Sequence, residues 1–401
     1  MGELGIINKK IEGYRKEMIE TMVEMISIKA VAPSSGGFGE GKRAEFLEKK
    51  LRSWGFQVGK YIYKDETGAP RPNLVAKYGE GKRTVWIVPH IDTVSEGDAA
   101  LWNTDPFKAT VKGGKIYGRG TVDDGQPVVS SVYALRALKE LNIKTKYRFG
   151  IALVSDEEMG SKYGIQSLLK EKIFSKNDMF IVPDYGTEKG DAIEVAEKSI
   201  VWLKVTVKGR QAHASTPDNG INAFRYMIRL LNELDAKLHV KYGRSNSLFS
   251  PPTSTFEMTK HEKNLDSTNI IPGIEVAYMD CRILPEYDKN KVIKYIRGVA
   301  RRPEFRKVSI KFELIQDEEA APPTSPDSEV VELLKGAIAK QRGIKPRAVG
   351  IGGGTCAAYF RKEGMPSAVW FTCNDIAHQP NEYLVINNMV EDAKVFAALF
   401  V

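Results

Sequence analysis

The sequence is poor in cysteine and lacks long hydrophobic runs. Its three cysteines are odd in number and form no CxxC pair, so we expect no structural disulfide and a reducing, cytoplasmic environment. No apolar run approaches the roughly 18 residues that a membrane span needs. The first segment has apolar residues at helical spacing between charges, from Ile7 to Ile26, which predicts one amphipathic helix rather than a signal peptide.

The chain is long and moderately basic. At 401 residues it exceeds the ~250 to 300 residues at which a single core stops growing, so we expect two domains. The net charge of +8 arises from 59 basic and 51 acidic residues that are interspersed along the chain, which argues against nucleic-acid binding. Salt-dependent binding of random DNA or RNA would support that alternative. A basic excess would equally attract an anionic substrate.

Short apolar strands alternate with amphipathic helices at both ends of the chain, which predicts an α/β layered domain. Near Ser199 the pattern changes to strands with one exposed face and longer amphipathic helices. We therefore predict that residues 1–198 and 316–401 form one α/β domain, into which residues 199–315 are inserted as an α+β domain. The predicted strands are 73–78, 83–90, 148–156, 179–184, 200–209, 275–284, 308–315 and 367–373, and the predicted helices are 47–54, 128–141, 221–234, 291–300, 330–339 and 387–400.

Histidine is also scarce, and three of the five histidines lie in polar contexts at strand ends or in loops. These are His90 in VPHIDTV, His213 in GRQAHASTP and His378 in NDIAHQPNEY. The other two, His239 and His261, lie in charged stretches that indicate no metal role. A single histidine at a strand end is more often structural, so its acidic neighbours decide the interpretation.

Acidic residues accompany these histidines. His90 and Asp92 are two residues apart, so on an extended segment both would point to the same side. Many carboxylates buried at one sheet edge are costly unless cations neutralise them, and imidazole with carboxylate suits zinc, or else cobalt or manganese. Solvated acidic loops remain the alternative. The further acidic residues at strand ends or in glycine-bounded loops are Asp123, Asp124, Glu157, Glu158 and Asp184.

These segments together resemble the M20 family of metallopeptidases, which includes succinyl-diaminopimelate desuccinylase, acetylornithine deacetylase, aminoacylases and glutamate carboxypeptidase. The resemblance covers nearly the whole chain, and the order and spacing of its motifs make it specific. It implies a zinc-exopeptidase-like α/β catalytic domain with an inserted lid and dimerisation domain. The motifs are PHIDTV, WNTDPFKATVKGGKIYGRGTVDDG, SDEEMGS, VPD, GRQAHASTPDNGINA, TNIIPG and HQPNEY.

The resemblance implies two metal ions per chain. His90 and Asp184 would bind one ion, Glu158 and His378 would bind the other, and Asp123 would bridge the two. The expected metal is zinc, with cobalt or manganese as alternatives.

Other residues would support these ligands. Asp92 would accept the other ring N–H of His90 and so fix its orientation. Asp124 would shape the loop, which in relatives contains a cis peptide bond. Glu157 precedes a ligand, but the chain can turn at a strand end and leave it free to take a proton from a water molecule whose pKa zinc lowers toward ~7. It would then be the general base.

The inserted domain would complete the site. By resemblance, His213 reaches across a homodimer to the developing oxyanion, and Asn269 and Arg282 bind the substrate backbone or carboxylate. Arg282 could instead be a surface ion-pair residue. The loop GIGGGTCAAYF departs from many relatives, which have Asp and Arg where Cys356 and Ala358 stand here. The loop residues expected to face the substrate are Gly353, Gly354 and Thr355.

We therefore expect a di-metal amidohydrolase that cleaves an N-acyl amino acid, of the succinyl-diaminopimelate desuccinylase or acetylornithine deacetylase type. The alternative with the same chemistry is a carboxypeptidase or dipeptidase that acts on a short peptide. An alternative of another class is a catalytically silent binding protein, which would have lost a ligand or the base. We expect neither a nucleic-acid nor a membrane partner.

Overall fold

The chain begins with two helices in the computed structural model, which describes residues 2–401. They are α1 (Glu3–Gly13) and α2 (Arg15–Ser27), and Tyr14 separates them. The prediction of one continuous helix is wrong at this point, and Gly13, a poor helix former, immediately precedes the break. The apolar positions that set the predicted period are nevertheless buried.

The segment that follows α2 contains most of the strands of the main sheet. Its helices are α3 (Gly41–Ser53), α4 (Gln126–Glu140) and α5 (Ile165–Leu168), and its strands are β1 (Val58–Lys64), β2 (Pro70–Tyr78), β3 (Thr84–Ile87), β4 (Thr110–Lys112), β5 (Lys115–Tyr117), β6 (Arg148–Leu153), β7 (Met179–Thr187) and β8 (Ala192–Glu197).

The middle of the chain forms an antiparallel sheet with two helices. The four-stranded sheet has the order β11-β13-β9-β14, and β10 pairs separately with β12. Alternate residues of β9, from Val201 to Val207, share one core with α6 and α7, as the strand period requires. The elements are β9 (Ser199–Lys208), β10 (Ala212–His213), α6 (Ala223–Lys241), β11 (Thr255–His261), β12 (Ile270–Ile271), β13 (Ile274–Ile283), α7 (Lys289–Val299) and β14 (Ser309–Glu318).

The last part of the chain returns to alternating helices and strands. It contains α8 (Glu329–Arg342), β15 (Arg347–Ile351), α9 (Ala357–Lys362), β16 (Ser367–Thr372), β17 (Tyr383–Val385) and α10 (Ile386–Ala398). Within residues 2–401, no helix combines the length and the apolar character that a membrane crossing requires.

Contacts between Cα atoms divide the chain into two units. The first unit contains the residues up to Val195 together with Thr324–Ala348 and Thr355–Val401. The second unit contains Ala196–Pro323 and Val349–Gly354. The role of this second unit as a lid and dimerisation domain stays a prediction.

Four parallel strands form the centre of the main sheet. The sheet order is β1-β2-β6-β3-β7-β16-β8-β15, and β6, β3, β7 and β16 run parallel to one another. Strands β3 and β16 are buried along their whole length, as is usual for parallel strands covered on both faces. The mixed α/β fold confirms the predicted fold class. The carboxyl ends of the four strands share one edge of the sheet.

Candidate active site

Polar side chains collect at the carboxyl ends of the central strands. His90 follows β3, and Glu157 and Glu158 follow β6. Asp184 lies in the second half of β7, and His378 follows β16. Because these four strands run parallel, residues far apart in sequence converge at a single sheet edge, which is where ligands bind in such sheets.

Asp123 lies at the centre of this group. Its Oδ1 is 2.8 Å from Nε2 of His90, and its Oδ2 is 3.0 Å from Nε2 of His378. Oε2 of Glu158 is 3.1 Å from the same His378 nitrogen, and Oδ1 of Asp184 is 3.8 Å from Nε2 of His90. Each oxygen of one carboxylate therefore faces a different histidine, and a further carboxylate stands beside each histidine.

The donor atoms are close enough to share metal ions. One ligand atom each from His90, Asp123 and Glu158 lies within 4.8 Å of the others, and the same holds for His90, Glu157 and Asp184. Imidazole nitrogen and carboxylate oxygen are donors that zinc, cobalt and manganese accept. The residues present therefore fit divalent transition-metal ions.

Asp92 fixes the turn that carries the two glutamates. Its buried carboxylate accepts the backbone N–H groups of Glu157 and Glu158, each at 3.1 Å. Asp156 has a φ of 68°, so the chain leaves the strand conformation here, and Glu157 escapes strand alternation as predicted. Nδ1 of His90 lies 3.4 Å from Oδ1 of Asp92, beyond the usual N–H···O distance. The hydrogen bond predicted between these two side chains is therefore not formed in this geometry.

Asp124 links the loop of Asp123 to the strand end that carries His90. The peptide bond between Asp123 and Asp124 is cis, as the resemblance implied. Asp124 is buried, and its Oδ2 accepts the backbone N–H of His90 at 3.0 Å. Its side chain thus orients the backbone of His90 relative to the Asp123 loop.

Arg119 and Glu382, to which the sequence analysis assigned no role, hold the backbone of the loop that carries Asp123. Glu382 is fully buried and accepts three backbone N–H groups, from Asp123 and the residues just before it, at 2.9–3.2 Å. It also accepts Nη1 of Arg119 at 2.7 Å, while Nη2 of Arg119 donates to the carbonyl oxygen of His378 at 3.1 Å. The pair therefore ties the loop of Asp123 to the loop of His378. The sequence offers one signal for this pair: each of the motifs GRGTVDDG and HQPNEY contains a charged residue, Arg119 or Glu382, to which no role was assigned.

Burial and mutual repulsion disfavour ionisation of most of these carboxylates. Burial, followed by the charge of Asp184, raises the pKa of Glu157 well above its usual range. Burial also raises the pKa of Asp184 and the pKa of Glu158, and the charge of Asp123 adds to both shifts. Burial opposes ionisation of Asp123 too, but hydrogen bonds from His378 and His90 outweigh it and hold the pKa of Asp123 below its usual range. Bound divalent cations would neutralise this concentration of negative charge.

A cleft of about 500 Å³ opens beside Asp123 and Asp184. Glu188 and Asp375 also line it, and none of its described lining residues is basic. The cleft therefore presents the carboxylates of Glu188 and Asp375 in addition to those of the candidate metal ligands Asp123 and Asp184. Its negative charge favours a ligand with a cationic group.

His213 and Asn269 are neighbours in the second unit. The pairing of β10 with β12 places His213 opposite Ile270, and the carbonyl oxygen of Asn269 accepts the N–H of Ala214 at 2.8 Å. Both residues are exposed, and Nδ1 of His213 accepts the backbone N–H of Ser215 at 3.2 Å. Two of the residues predicted to contact substrate from this unit, His213 and Asn269, thus lie at one short pair of strands.

Arg282 is already engaged within the second unit. Its Nε and Nη2 donate to the two carboxylate oxygens of Asp280 at 2.7 and 2.9 Å, and its Nη1 donates to the carbonyl oxygen of Gly352 at 2.8 Å. A guanidinium has five N–H groups, so one on each terminal nitrogen is left for a further acceptor. Arg282 thus forms an ion pair with Asp280, as the alternative interpretation proposed, and two of its N–H groups remain for a further acceptor.

The glycine-rich loop spans the boundary between the units. Gly353 and Gly354 belong to the second unit and Thr355 to the first, where its Oγ1 accepts the N–H of Ala357 at the start of α9 at 3.2 Å. Cys356 is buried, and burial, followed by the charges of Glu157 and Asp184, raises the pKa of its thiol. A neutral thiol therefore stands near the carboxylates, at the position where the resemblance implied aspartate.

The fold and the site define a family. Residues 86–401 match the family model described as peptidase family M20/M25/M40, so the chain belongs to this family. The resemblance inferred from the motifs is confirmed. The protein is a metallohydrolase that acts on amide or peptide bonds.

Relatives span the chain nearly from end to end. An uncharacterised metallohydrolase of Methanocaldococcus jannaschii is 40% identical, and the alignment covers 95% of this chain and 98% of the relative. A succinyl-diaminopimelate desuccinylase of Rickettsia bellii is 28% identical over 91% of each chain. The crystal structure of human carnosine dipeptidase 1 has the same fold, with a TM-score of 0.74 at 18% identity over 100% of this chain and 98% of that one.

Proposed function

We propose that this chain hydrolyses the amide bond of an N-acyl amino acid, in the manner of a succinyl-diaminopimelate desuccinylase or an acetylornithine deacetylase. The observation that carries the proposal is Asp123, whose two oxygens face Nε2 of His90 and Nε2 of His378 at 2.8 and 3.0 Å. A carboxylate in this position suits a bridge between two metal ions. The name of the 28% identical relative supports the substrate class.

Two zinc ions are the proposed cofactors, and cobalt or manganese would accept the same donors. His90 and Asp184 would hold one ion, Glu158 and His378 the other, and Asp123 both. Burial, followed by repulsion from neighbouring carboxylates such as Asp123, raises the pKa values of Asp184 and Glu158, and nearby cations would favour the ionised forms of both, which supports this assignment. When bound, the ions would lower the pKa of a water molecule and polarise the amide carbonyl.

Glu157 is the proposed general base. It belongs to the same sheet edge, and its carboxylate lies within reach of His90 and Asp184. The buried carboxylate of Asp92 accepts the backbone N–H of Glu157 at 3.1 Å, which fixes the main chain that carries the Glu157 carboxylate. From there Glu157 takes a proton from the attacking water and returns it to the leaving nitrogen.

His213 is the proposed donor to the oxyanion, acting across a homodimer formed by the second unit. Because Nδ1 of His213 accepts the N–H of Ser215, the neutral ring carries its proton on Nε2 and offers an N–H donor. Two exposed apolar residues of α6 support a contact surface in this unit, namely Phe224 at 43% and Ile228 at 53% exposure.

The substrate carboxylate would be bound by the second unit. The two N–H groups that Arg282 keeps free suit a carboxylate, and Asp280 holds the guanidinium plane in place. Asn269 would contact the substrate backbone from beside His213. The glycine-rich loop, with Gly353, Gly354 and Thr355, would face the substrate.

A dipeptidase or carboxypeptidase is the second candidate, and the acidic cleft favours it. Glu188 and Asp375 would attract the N-terminal ammonium of a short peptide and repel the free carboxylate of a succinyl group. The ammonium groups of diaminopimelate and ornithine would also suit this cleft. The test must therefore vary the acyl part and the amine separately.

A hydrolysis screen on protein reconstituted with zinc, cobalt or manganese tests the proposal. Each amino acid in the panel is supplied as its N-succinyl derivative, its N-acetyl derivative and a dipeptide. Preferential cleavage of an acyl derivative is expected, whereas preferential cleavage of dipeptides would select the second candidate. Loss of every activity in fully metallated protein would contradict both.

Replacement of Glu157 by Gln separates chemistry from metal binding. The amide keeps the shape but cannot take a proton, so kcat should fall by a factor on the order of 10² to 10⁴ while metal content and KM stay close to those of the wild type. Glu363→Gln, an exposed glutamate of the same unit, is the matched control. A parallel loss of metal in Glu157→Gln would show that Glu157 is a ligand and that its proposed role is wrong.

A further inference from the structure

Four cationic side chains line a cleft of the second unit for which the proposed reaction has no use. The cleft has a volume of about 610 Å³, and its lining includes Arg210, Arg225, Arg229 and Lys307. We call these four residues the basic cleft. Asp218 is the single acidic residue among the described residues that line it. The charge of the lining is therefore strongly positive, whereas basic and acidic residues are interspersed along the rest of the sequence.

The cations of the basic cleft have no carboxylate partner among the residues that the structure describes. Other cations of this unit are paired, such as Lys204 with Glu262 at 3.3 Å and Arg302 with Glu233. Across residues 2–401, no carboxylate oxygen lies within 4.0 Å of the charged nitrogens of the basic cleft. Even Asp218 stays outside this distance. The charges are thus left for solvent or for a bound anion.

The backbone holds these side chains around the cleft at some cost. Arg225 and Arg229 are four residues apart on α6, where like charges repel each other and destabilise a helix. Arg210 exchanges two backbone hydrogen bonds with Ile221, at 2.9 and 2.8 Å, which fixes it beside the amino end of α6. The guanidinium of Arg229 lies 5.8 Å from the ring centre of Tyr226, which also lines the cleft. The cations are therefore brought together by ordered elements.

We propose that the basic cleft binds a small phosphate-bearing anion. Three guanidinium groups offer planar pairs of N–H donors, the geometry that phosphate oxygens accept in pairs. The amino end of the 19-residue helix α6 adds its partial positive charge at the same place. The volume exceeds that of inorganic phosphate and suits an organic phosphate. The proposal concerns a second ligand and does not depend on which amide the metal site cleaves.

Calorimetric titration of the metallated protein with inorganic phosphate, at constant ionic strength and with chloride as the reference anion, tests the proposal. Phosphate should bind to the wild type, and the double variant Arg225→Gln/Arg229→Gln should bind it roughly 10- to 100-fold more weakly, since each charge-assisted hydrogen bond is worth about a factor of ten. Arg297→Gln, an exposed arginine near the end of α7, is the matched control and should bind as the wild type does.

The controls separate this site from other anion sites. Phosphate bound at the metal ions would persist in the double variant, so undiminished binding there overturns the proposal. Equal heats from phosphate and chloride overturn it as well. A single-stranded DNA oligonucleotide provides a second source of phosphate, and DNA binding that depends on Arg225 and Arg229 but is not displaced by phosphate would assign the cleft to nucleic acid instead. Thermal unfolding of each variant confirms that it is folded.

Discussion

Glu382→Gln is the substitution that most directly tests how the loop of Asp123 and the loop of His378 are held together. The side chain keeps its size but loses its charge, and its new NH₂ group faces donors. In the wild type Glu382 accepts Nη1 of Arg119 and three backbone N–H groups around Asp123. Because Glu382 and Arg119 are buried, water cannot readily replace the lost acceptor.

The expected effect has two parts. Breaking a buried ion pair by changing one partner costs about 3–5 kcal/mol of the free energy of unfolding, since the other charge stays buried. Loss of a residue that orients metal ligands lowers metal affinity by roughly 10- to 100-fold. Arg119 also donates to the backbone of His378, so both the Asp123 loop and the His378 loop should loosen. The loss of affinity should therefore affect both metal ions.

Competition with a chromogenic chelator measures the metal affinity, and denaturant unfolding measures the stability. Glu363→Gln serves as the control, because it removes an exposed glutamate of the same unit. If Glu382→Gln is destabilised but its folded fraction binds both metal ions with wild-type affinity, the pair is only a structural support. The reasoning from Glu382 to Asp123 and His378 would then be refuted.

Three further perturbations have defined outcomes. Chelation should abolish hydrolysis and added zinc should restore it, so full activity in stripped protein would contradict the metal assignment. His213→Ala should lower kcat roughly 10²-fold without loss of metal. Mixing this variant with Glu157→Gln should restore activity in exchanged dimers. An inactive mixture would show that His213 acts within its own subunit or has no part in catalysis. Phe180→Ala should cost about 3–5 kcal/mol in denaturant unfolding, because Phe180 is fully buried and stacks on Phe360 at 4.0 Å; a cost below about 1 kcal/mol would show that the neighbouring core refills the cavity.

Local sequence patterns are enough to place the candidate site residues at or near strand ends. His90, Glu158 and Asp184 follow or end apolar runs, and such runs are recognisable without knowledge of the fold. The order of the strands in the sheet was not predictable in the same way, because it depends on pairing between distant segments. The convergence of these residues therefore required either the structure or the family resemblance.

Contacts between distant residues account for the main omissions. Arg119 and Glu382 are 263 positions apart, and no local pattern links them. By contrast, Asp280 and Arg282 are two residues apart on β13, so strand alternation puts them on the same face and could have predicted their ion pair. The break at Tyr14 was missed because the apolar period continues through it.

The position of β16 determines when during synthesis the site can exist. This strand lies between β7 and β8 in the sheet, although about 170 residues separate it from β8 along the chain. The ribosome thus releases the flanking strands long before the strand that joins them, and His378 and Glu382 emerge later still. A nascent chain that ends before Ser367 lacks the strand that lies between β7 and β8, and of the two site histidines it contains only His90. The complete set of proposed ligands is therefore available only to a chain that has been translated beyond His378.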